Sequence, residues 1–343
     1  MLSSKSKPKV VLAMHADLVP RFFGAAEWAR LDAQAQVLSR QAFTDFNAPE
    51  AASLLGEADV MLAAWGAAPL DEALLARAPN LRLVAYAAAS IRAITTPAFW
   101  RAGVTITSAV SAMAIPVAEF TYAAIIMTGK DIFNIRDINR SQRGAQGYGI
   151  RIGLDVDHLG NYGRRVGIVG ASRIGRLVIE MLVRSGFSVA VYDPFVSPSE
   201  VRRMGAQVLE LDELLAWSDT VSLHAPILPE TRHMIGAREL GLLSDNAVLI
   251  NTARGWLVDH DALLAELQGG RIRAWIDTPE PEPLPSDSPF YDLPNVVLTP
   301  HVAGTMGNEL HRLSDAAITE IERFAAGIPA LDPVYQQTLD RIA

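Results

Sequence analysis

The sequence predicts an α/β protein of two domains, each built on a parallel β-sheet. Short apolar runs alternate with stretches of helical periodicity over the first 115 residues, and the alternation begins again at Arg165. Strands separated by helices favour parallel sheets that are covered on both faces. A chain of 343 residues is also longer than one hydrophobic core usually supports.

The composition excludes several functional classes. The formal net charge of -8 provides no basic surface for nucleic acid or for an anionic membrane. The chain has no cysteine, which excludes disulfides and thiolate chemistry, and no metal site is predicted. The first apolar run is too short for a signal peptide, and no uninterrupted apolar stretch approaches about 18 residues. We therefore expect a cytoplasmic protein.

In the first domain, four apolar runs predict strands: Val10–Met14, Ala58–Ala64, Leu81–Tyr86 and Val104–Thr107. A helix is predicted over Leu70–Ala78, and a longer one is expected to begin near Pro116. Proline suits a first helical turn, where its missing N–H costs little. Residues 142–163 are rich in glycine and weakly periodic, which predicts a loop.

The second domain repeats the alternation with six predicted strands: Arg165–Val169, Val189–Tyr192, Val221–His224, Ala247–Asn251, Ile272–Ile276 and Val296–Thr299. Helices are predicted between most of these strands, for example over Asp259–Leu267. Six strands in this rhythm are the expected size of a dinucleotide-binding domain. A last helix, near Asn308–Ala326, should lead back to the first domain.

The turn after the first of these strands has the pattern of a dinucleotide-binding loop. Gly170 allows a tight turn, Gly175 lets the helix pack on the strand, and the N–H groups of the helix start face a pyrophosphate. Asp193 ends the next strand, where a carboxylate accepts ribose hydroxyls and repels a 2′-phosphate, which favours NAD over NADP. Ser172 replaces the middle glycine of the pattern, and an ordinary strand–turn–helix connection is the alternative.

Three later strands also end in polar residues, at the edge where open parallel sheets bind ligands. These ends carry Arg254, the pair Glu280 and Glu282, and His301. An arginine can hold a carboxylate with two charge-assisted bonds, and a histidine can donate a proton to a forming alkoxide. A nearby carboxylate stabilises the protonated imidazole. Each residue alone is more often structural, but together they predict reduction of a 2-keto acid.

The same segments resemble the D-isomer-specific 2-hydroxyacid dehydrogenase family. The most specific stretches are Val221–Pro226 with Pro229–Thr231, then Asn251–Asp259, then Thr299–Gly304. The resemblance implies hydride transfer between NAD(H) and a small 2-keto or 2-hydroxy acid, such as glyoxylate or hydroxypyruvate. It implies that Arg254 binds the substrate, that His301 is the acid/base, and that Glu282 rather than Glu280 is its partner.

The resemblance also implies the cofactor contacts. Beside Gly170, Ser172 and Gly175, they are Arg173, Ile174, Asp193, His224, Ala225, Pro226, Thr231, Thr252, Ala253, Arg254, Asp277, His301 and Gly304. For His224, a structural turn is the alternative. The implied architecture is a flavodoxin-like substrate domain (residues 1–115 and 305–343) with an NAD-binding Rossmann domain (residues 116–304) inserted. The active site is expected in the cleft between them, and members of the family commonly form homodimers.

One loop of the first domain departs from the family pattern. Ala87–Arg92 stands where the family has a glycine-rich loop whose N–H groups hold the substrate carboxylate. Ala89 and Ser90 can still offer such N–H groups, and Arg92 stands where an acid usually sits. One hypothesis is that Arg92 meets a second anionic group on the substrate; a solvated or salt-bridged arginine is the alternative.

Two other functions share this fold. One is oxidation of a different donor, as in formate or phosphite dehydrogenases, which need a differently lined pocket. The other is NAD sensing by a corepressor that binds peptides. The presence of Arg254, Glu282 and His301 favours chemistry, although such a binding protein can retain them.

Overall fold

The computed structural model describes residues 6–143 and 158–341. The chain divides into two compact units, Met1–Met113 with Thr305–Ala343 and Ala114–Gly304. The first boundary between the units thus lies after residue 113, and the second lies after residue 304. Most of the predicted loop over residues 142–163 lies outside the described residues.

The described strands are β1 Lys9–Ala13, β2 Gln36–Ala42, β3 Val60–Ala63, β4 Leu83–Tyr86, β5 Thr105–Ser108, β6 Arg165–Val169, β7 Ser188–Tyr192, β8 Gln207–Val208, β9 Thr220–Leu223, β10 Val248–Asn251, β11 Arg273–Ile276 and β12 Val296–Leu298. The described α-helices are α1 Val19–Phe22, α2 Ala25–Gln34, α3 Pro49–Glu57, α4 Glu72–Ala76, α5 Pro97–Ala102, α6 Val110–Gly129, α7 Ile132–Gln142, α8 Arg173–Arg184, α9 Pro198–Arg203, α10 Leu211–Trp217, α11 Ala237–Leu242, α12 His260–Gln268 and α13 Leu310–Ala326. Short 3₁₀ helices cover Ala16–Leu18, Pro229–Thr231, Gly255–Leu257, Pro289–Tyr291, Gly307–Glu309 and Gln336–Arg341.

The first unit contains a five-stranded parallel sheet in the order β2-β1-β3-β4-β5, the flavodoxin-like order. Alternate residues of the central strands enter two hydrophobic clusters, one on each face of the sheet. Strand β2 was not predicted from the sequence. It is an edge strand that contains Ser, Arg and Gln, and Ala42 is its only buried residue. An edge strand needs no continuous apolar run, since one side of it is not covered by another strand.

The second unit contains a seven-stranded parallel sheet in the order β12-β11-β10-β9-β6-β7-β8. All six predicted strands are present, and their order reverses direction between β6 and β9, as in dinucleotide-binding sheets. The additional strand, β8, is two residues long and pairs only with β7, so it carries no periodic signal. The carboxyl ends of β6, β7, β9, β10, β11 and β12 lie along one edge of this sheet, called the carboxyl edge below.

Helix α6 corrects one sequence-based expectation. It begins at Val110, so Pro116 lies inside it rather than in its first turn. The earlier start has a local cause, because the hydroxyl of Ser108 accepts the N–H of Val110 at 3.1 Å. By length and composition, α6 is also the one helix among the described residues that could cross a membrane. Its residues Ala118, Ala124 and Ile125 are buried in the core of the second unit, as in the core helix of a folded domain.

Candidate active site

The loop between β6 and α8 is shaped by two glycines at close backbone contacts. Gly170 has φ +99°, and a Cβ there would lie 2.7 Å from the nitrogen of Ala225 and 2.8 Å from the carbonyl carbon of His224. A Cβ on Gly175 would collide with the carbonyl oxygen of Gly170. Both glycines are therefore required by the fold of this loop, as the dinucleotide pattern predicts.

Helix α8 presents unused backbone donors at its start. Ser172 is its N-cap, and the serine hydroxyl accepts the N–H of Gly175 at 3.3 Å. Within the described parts of the chain, neither the N–H of Ser172 nor that of Ile174 donates to another residue. The positive end of a helix with free N–H groups suits a pyrophosphate, so the loop fits a dinucleotide despite the missing middle glycine.

Asp193 follows β7 and organises the same loop. One carboxylate oxygen accepts the N–H of Ala171 at 2.7 Å, and the other accepts the N–H of Phe195 at 2.8 Å. Each carboxylate oxygen has a second lone pair, so the group can still accept hydrogen bonds from a ribose. Asp193, which the sequence assigns to the cofactor, thus also fixes the backbone that would surround the cofactor.

His224 follows β9 and is almost fully buried, with 4% of its surface exposed. Its Nε2 forms a 2.9 Å hydrogen bond with the hydroxyl of Ser222, and burial lowers its pKa to about 3. The ring is therefore neutral, and the structure places it in the sheet rather than in the solvent. Its backbone, against Gly170, is the part of the residue nearest to the cofactor loop.

The segment after His224 is closed by Thr231. The threonine hydroxyl donates towards the carbonyl of Pro226 at 2.7 Å and accepts the N–H of Leu228 at 2.9 Å. Ala225 and Pro226 are half-buried at the carboxyl edge. Thr231 is thus placed to hold the shape of this segment.

The turn after β10 carries Arg254. Asn251 braces this turn, because its side-chain oxygen accepts the N–H of Ala253 at 3.1 Å and its amide donates to the carbonyl of Arg254 at 2.8 Å. The guanidinium donates to the carbonyl of Ala253, and no carboxylate among the described residues forms an ion pair with it. A half-buried arginine without an acidic partner is available to an anionic substrate.

Thr252, in the same turn, is directed into the core. Its hydroxyl lies 2.7 Å from that of Thr121 on α6, and Thr121 donates to the carbonyl of Val117 at 2.8 Å. Because a hydroxyl has one proton, Thr252 donates to Thr121. The sequence analysis missed both Asn251 and Thr121 as supports of this turn, and nothing in the spacing of Thr121 from residue 252 indicates the contact.

Asp277, after β11, is completely buried and binds the turn that follows β12. Its carboxylate accepts the hydroxyl of Thr299 at 2.6 Å and the N–H groups of Val302 and Ala303 at 2.9 and 3.0 Å. The structure therefore gives Asp277 a supporting position beneath His301. Gly304, at the end of this turn, has open space where a Cβ would lie.

His301 and Glu282 form a close pair at the carboxyl edge. The Nδ1 of His301 lies 2.6 Å from Oε1 of Glu282, and 43% of each side chain is exposed. His301 has φ +55°, a left-handed conformation that is uncommon for histidine. Its N–H bonds to the carbonyls of Asp277 and Thr299 hold it there. Since the carboxylate only accepts, Nδ1 carries a proton and Nε2 is the nitrogen left for a substrate.

The structure separates the two glutamates that the sequence offered as partners of His301. Glu280 bonds to Nη1 of Arg232 at 2.5 Å, whereas Glu282 bonds to His301. Arg232 also stacks over the ring of Trp256, with its guanidinium carbon 4.3 Å from the ring centroid. The geometry therefore agrees with the assignment of Glu282 rather than Glu280 to the pair.

In the first unit, Ala89 and Ser90 follow β4. Ala89 is half-buried and Ser90 is exposed, and neither N–H donates to another described residue. The hydroxyl of Ser108 instead donates to the carbonyl of Ala89 at 2.8 Å and so fixes the loop. Arg92 donates to the carbonyl of Leu339 at 2.9 Å, so the C-terminal segment holds one nitrogen of the guanidinium.

Comparison with known proteins identifies the family of the chain. The family model described as "D-isomer specific 2-hydroxyacid dehydrogenase, NAD binding domain" matches residues 132–303. The chain therefore belongs to the D-isomer-specific 2-hydroxyacid dehydrogenase family. Its second unit is the NAD-binding domain, and NAD is its cofactor.

Individual relatives differ in how much of their length they share. The chain is 29% identical over 341 residues to glyoxylate/hydroxypyruvate reductase B of Yersinia enterocolitica, covering 98% of this chain and 99% of the relative. It is 32% identical over 276 residues to D-3-phosphoglycerate dehydrogenase of Mycobacterium bovis, covering 79% of this chain but only 50% of that longer enzyme. A phosphoglycerate oxidoreductase from Rhizobium etli has the same fold, with a TM-score of 0.82, 22% identity and coverage of 96% and 99% of the two chains.

Proposed function

We propose that the protein is an NAD-dependent 2-hydroxyacid dehydrogenase that reduces a small 2-keto acid, of the glyoxylate or hydroxypyruvate type, or catalyses the reverse oxidation. The observation that carries the proposal is the 2.6 Å pair of His301 and Glu282 at the same sheet edge as Arg254, which has no described acidic partner. The full-length similarity to a glyoxylate/hydroxypyruvate reductase supports the substrate class.

Arg254 is the proposed anchor of the substrate. A guanidinium binds a carboxylate through two parallel N–H bonds, each contributing about 1.5–3 kcal/mol at best. The braced turn around Asn251 restricts the backbone from which this side chain extends. Holding the keto acid in one orientation should account for a large part of the rate acceleration. The substrate has then already lost the translational and rotational freedom that the transition state does not allow.

His301 is the proposed acid in reduction and the proposed base in oxidation. When NADH is bound, it supplies the hydride that reduces the carbonyl carbon. Nε2 of His301 donates a proton to the carbonyl oxygen, while Nδ1 remains bonded to Glu282. Glu282 orients the ring through its bond to Nδ1, and Asp277 holds the turn that carries the ring. In the first unit, the N–H groups of Ala89 and Ser90 are proposed as a second anchor for the substrate carboxylate.

The test is a substrate panel with the wild-type protein and Arg254→Lys. NADH absorbance is followed with glyoxylate, hydroxypyruvate, pyruvate, branched keto acids and phosphorylated keto acids, with NADPH in parallel. We expect turnover of at least one small keto acid with NADH and a kcat/KM at least about 10-fold lower in Arg254→Lys, because an ammonium cannot form the bidentate pair. If NADH binds but no keto acid turns over, the proposed activity is wrong. NAD-dependent oxidation of formate or phosphite, or capture of a peptide, would then indicate one of the two alternative functions.

We also propose that the enzyme acts in the cytoplasm as a homodimer. The cytoplasmic location is proposed because the proposed reaction is a metabolic reduction that uses NADH. The homodimer is proposed because members of the family commonly form homodimers. Light scattering after size exclusion tests the assembly, and a mass of one chain, 37.1 kDa, would contradict it.

A further inference from the structure

The segment Pro279–Pro283, which carries Glu282, has few backbone hydrogen bonds that could hold it in place. Three of its five residues are prolines without an N–H, so only Glu280 and Glu282 have backbone donors. Within the described parts of the chain, the backbone of this segment forms a single hydrogen bond, from the N–H of Glu280 to Nε2 of His260 at 3.2 Å. This contact is the one backbone restraint on the segment, and the side chains of Glu280 and Glu282 add the pairs with Arg232 and His301.

The partners of His260 require one form of its ring. Nδ1 lies 3.1 Å from the carbonyl of Val258, which can only accept, so Nδ1 carries the proton. Nε2 accepts an N–H, so it carries none. Only the neutral ring with its proton on Nδ1 satisfies both contacts.

The surroundings of His260 favour that neutral ring. Burial lowers its pKa, and His233 lowers it further, whereas the carbonyl of Val258 and the carboxylates of Glu280 and Asp259 oppose the shift. The ring of Phe290 packs against it edge-on, with centroids 5.8 Å apart.

We propose that His260 is a positioning residue for the reaction: its neutral ring holds the Pro279–Pro283 segment and thereby orients Glu282 against His301. This inference rests on the proposed function, because it assigns His260 an effect on the proposed acid/base pair. His260 touches neither His301 nor Glu282 in any described hydrogen bond, so its effect passes through the backbone of residues 280–282. Protonation would place an N–H on Nε2 opposite the N–H of Glu280 and break the contact.

Two substitutions at this position separate the hydrogen bond from packing. His260→Phe preserves an aromatic ring against Phe290 but removes the acceptor, whereas His260→Gln retains an acceptor near the position of Nε2. We expect His260→Phe to lower kcat about 10-fold, with little change in the Kd for NADH, and His260→Gln to recover most of that loss. The ratio of wild-type kcat to that of His260→Gln should fall as the pH drops through the lowered pKa of His260, because only the wild type loses the contact.

A second readout does not depend on turnover. The ¹⁵N resonances of the histidine rings should show a neutral, Nδ1-protonated His260 at pH 7, and the resonances of His301 should change in His260→Phe but not in His260→Gln. A kcat for His260→Phe within about 2-fold of wild type, or equal impairment of both variants, would overturn the inference while leaving the proposed function intact. If the wild type reduces no keto acid, the proposed function fails, and unchanged His301 resonances in His260→Phe would independently disprove the positioning role.

Discussion

His224 and His301 both follow a parallel strand at the carboxyl edge of the same sheet, yet their surroundings are opposite. His224 is 4% exposed, bonds to Ser222 and is neutral because burial lowers its pKa to about 3. His301 has a side chain that is 43% exposed and lies 2.6 Å from the carboxylate of Glu282. Burial at the first position excludes a proton, whereas the second position brings a ring nitrogen to a carboxylate.

The difference shows that position at the sheet edge does not by itself give a histidine a chemical function. What distinguishes His301 is a carboxylate on the neighbouring strand end and a turn held by the buried Asp277. His224 lacks a charged partner among the described residues and instead packs its backbone against Gly170. His301 is the histidine that we propose for proton transfer, whereas the backbone of His224 supports the shape of the cofactor loop.

The largest expected effect separates the two histidines directly. His301→Gln should lower kcat by about 10²–10⁴, because it removes the proton donor. Steady-state turnover measures the loss, and fluorescence titration of NADH should show an unchanged Kd. His224→Gln is the matched control, with kcat expected to change far less. Comparable losses in both variants would contradict the distinction.

The next effect tests the carboxylate that distinguishes His301. Glu282→Gln should lower kcat about 10- to 100-fold, because a neutral amide replaces a charge-assisted hydrogen bond contributing about 1.5–3 kcal/mol. Glu280→Gln is the control, since Glu280 bonds to Arg232 rather than to His301. If Glu280→Gln reduced kcat more than Glu282→Gln, the two glutamates would have to exchange roles.

The backbone contact of His224 can be tested through Gly170. Gly170→Ala places a Cβ 2.7 Å from the nitrogen of Ala225 in a left-handed conformation, so we expect a loss of more than about 2 kcal/mol in the free energy of unfolding and a Kd for NADH at least about 10-fold higher. Gly186→Ala has φ +78° but open space at the Cβ, and should cost only about 1 kcal/mol with NADH affinity retained. Denaturant unfolding and NADH titration of both variants measure the difference; equal costs would mean that the close contact with residues 224–225 is unimportant.

The smallest effect concerns the pH dependence of stability. Because the folded pKa of His224 lies near 3, below the ordinary value of 6.5, the unfolded chain binds a proton that the folded chain excludes. The stability from neutral His224 is therefore present above pH 6.5 and is lost as the pH falls towards 3, by about 1.4 kcal/mol per unit. From pH 6.5 to 5, wild type should lose about 1.6 kcal/mol more than His224→Gln in urea unfolding. Parallel pH profiles for the two proteins would show that His224 is protonated in the fold.

Much of the fold could be predicted because buried parallel strands are continuous apolar runs. The ten predicted strands are all present, and the two missed strands, β2 and β8, lie at sheet edges, where burial on one side leaves no such run. The start of α6 was predicted incorrectly, since the hydroxyl of Ser108 caps the helix and allows it to begin six residues before Pro116. In the sequence, a serine that caps a helix is a weaker signal of the helix start than a proline is.

The sequence by itself determined the parallel α/β architecture, the glycines of the cofactor loop and the residue types at the strand ends, because these depend on local periodicity and on backbone freedom. Only the tertiary structure decided that Glu280 pairs with Arg232, that Asp277 supports the turn of His301, that His224 is buried and neutral, and that His260 bonds to the proline-rich segment. Each of these depends on which segments come together across the sheet, and contacts between distant segments leave no trace in the spacing of residues along the chain.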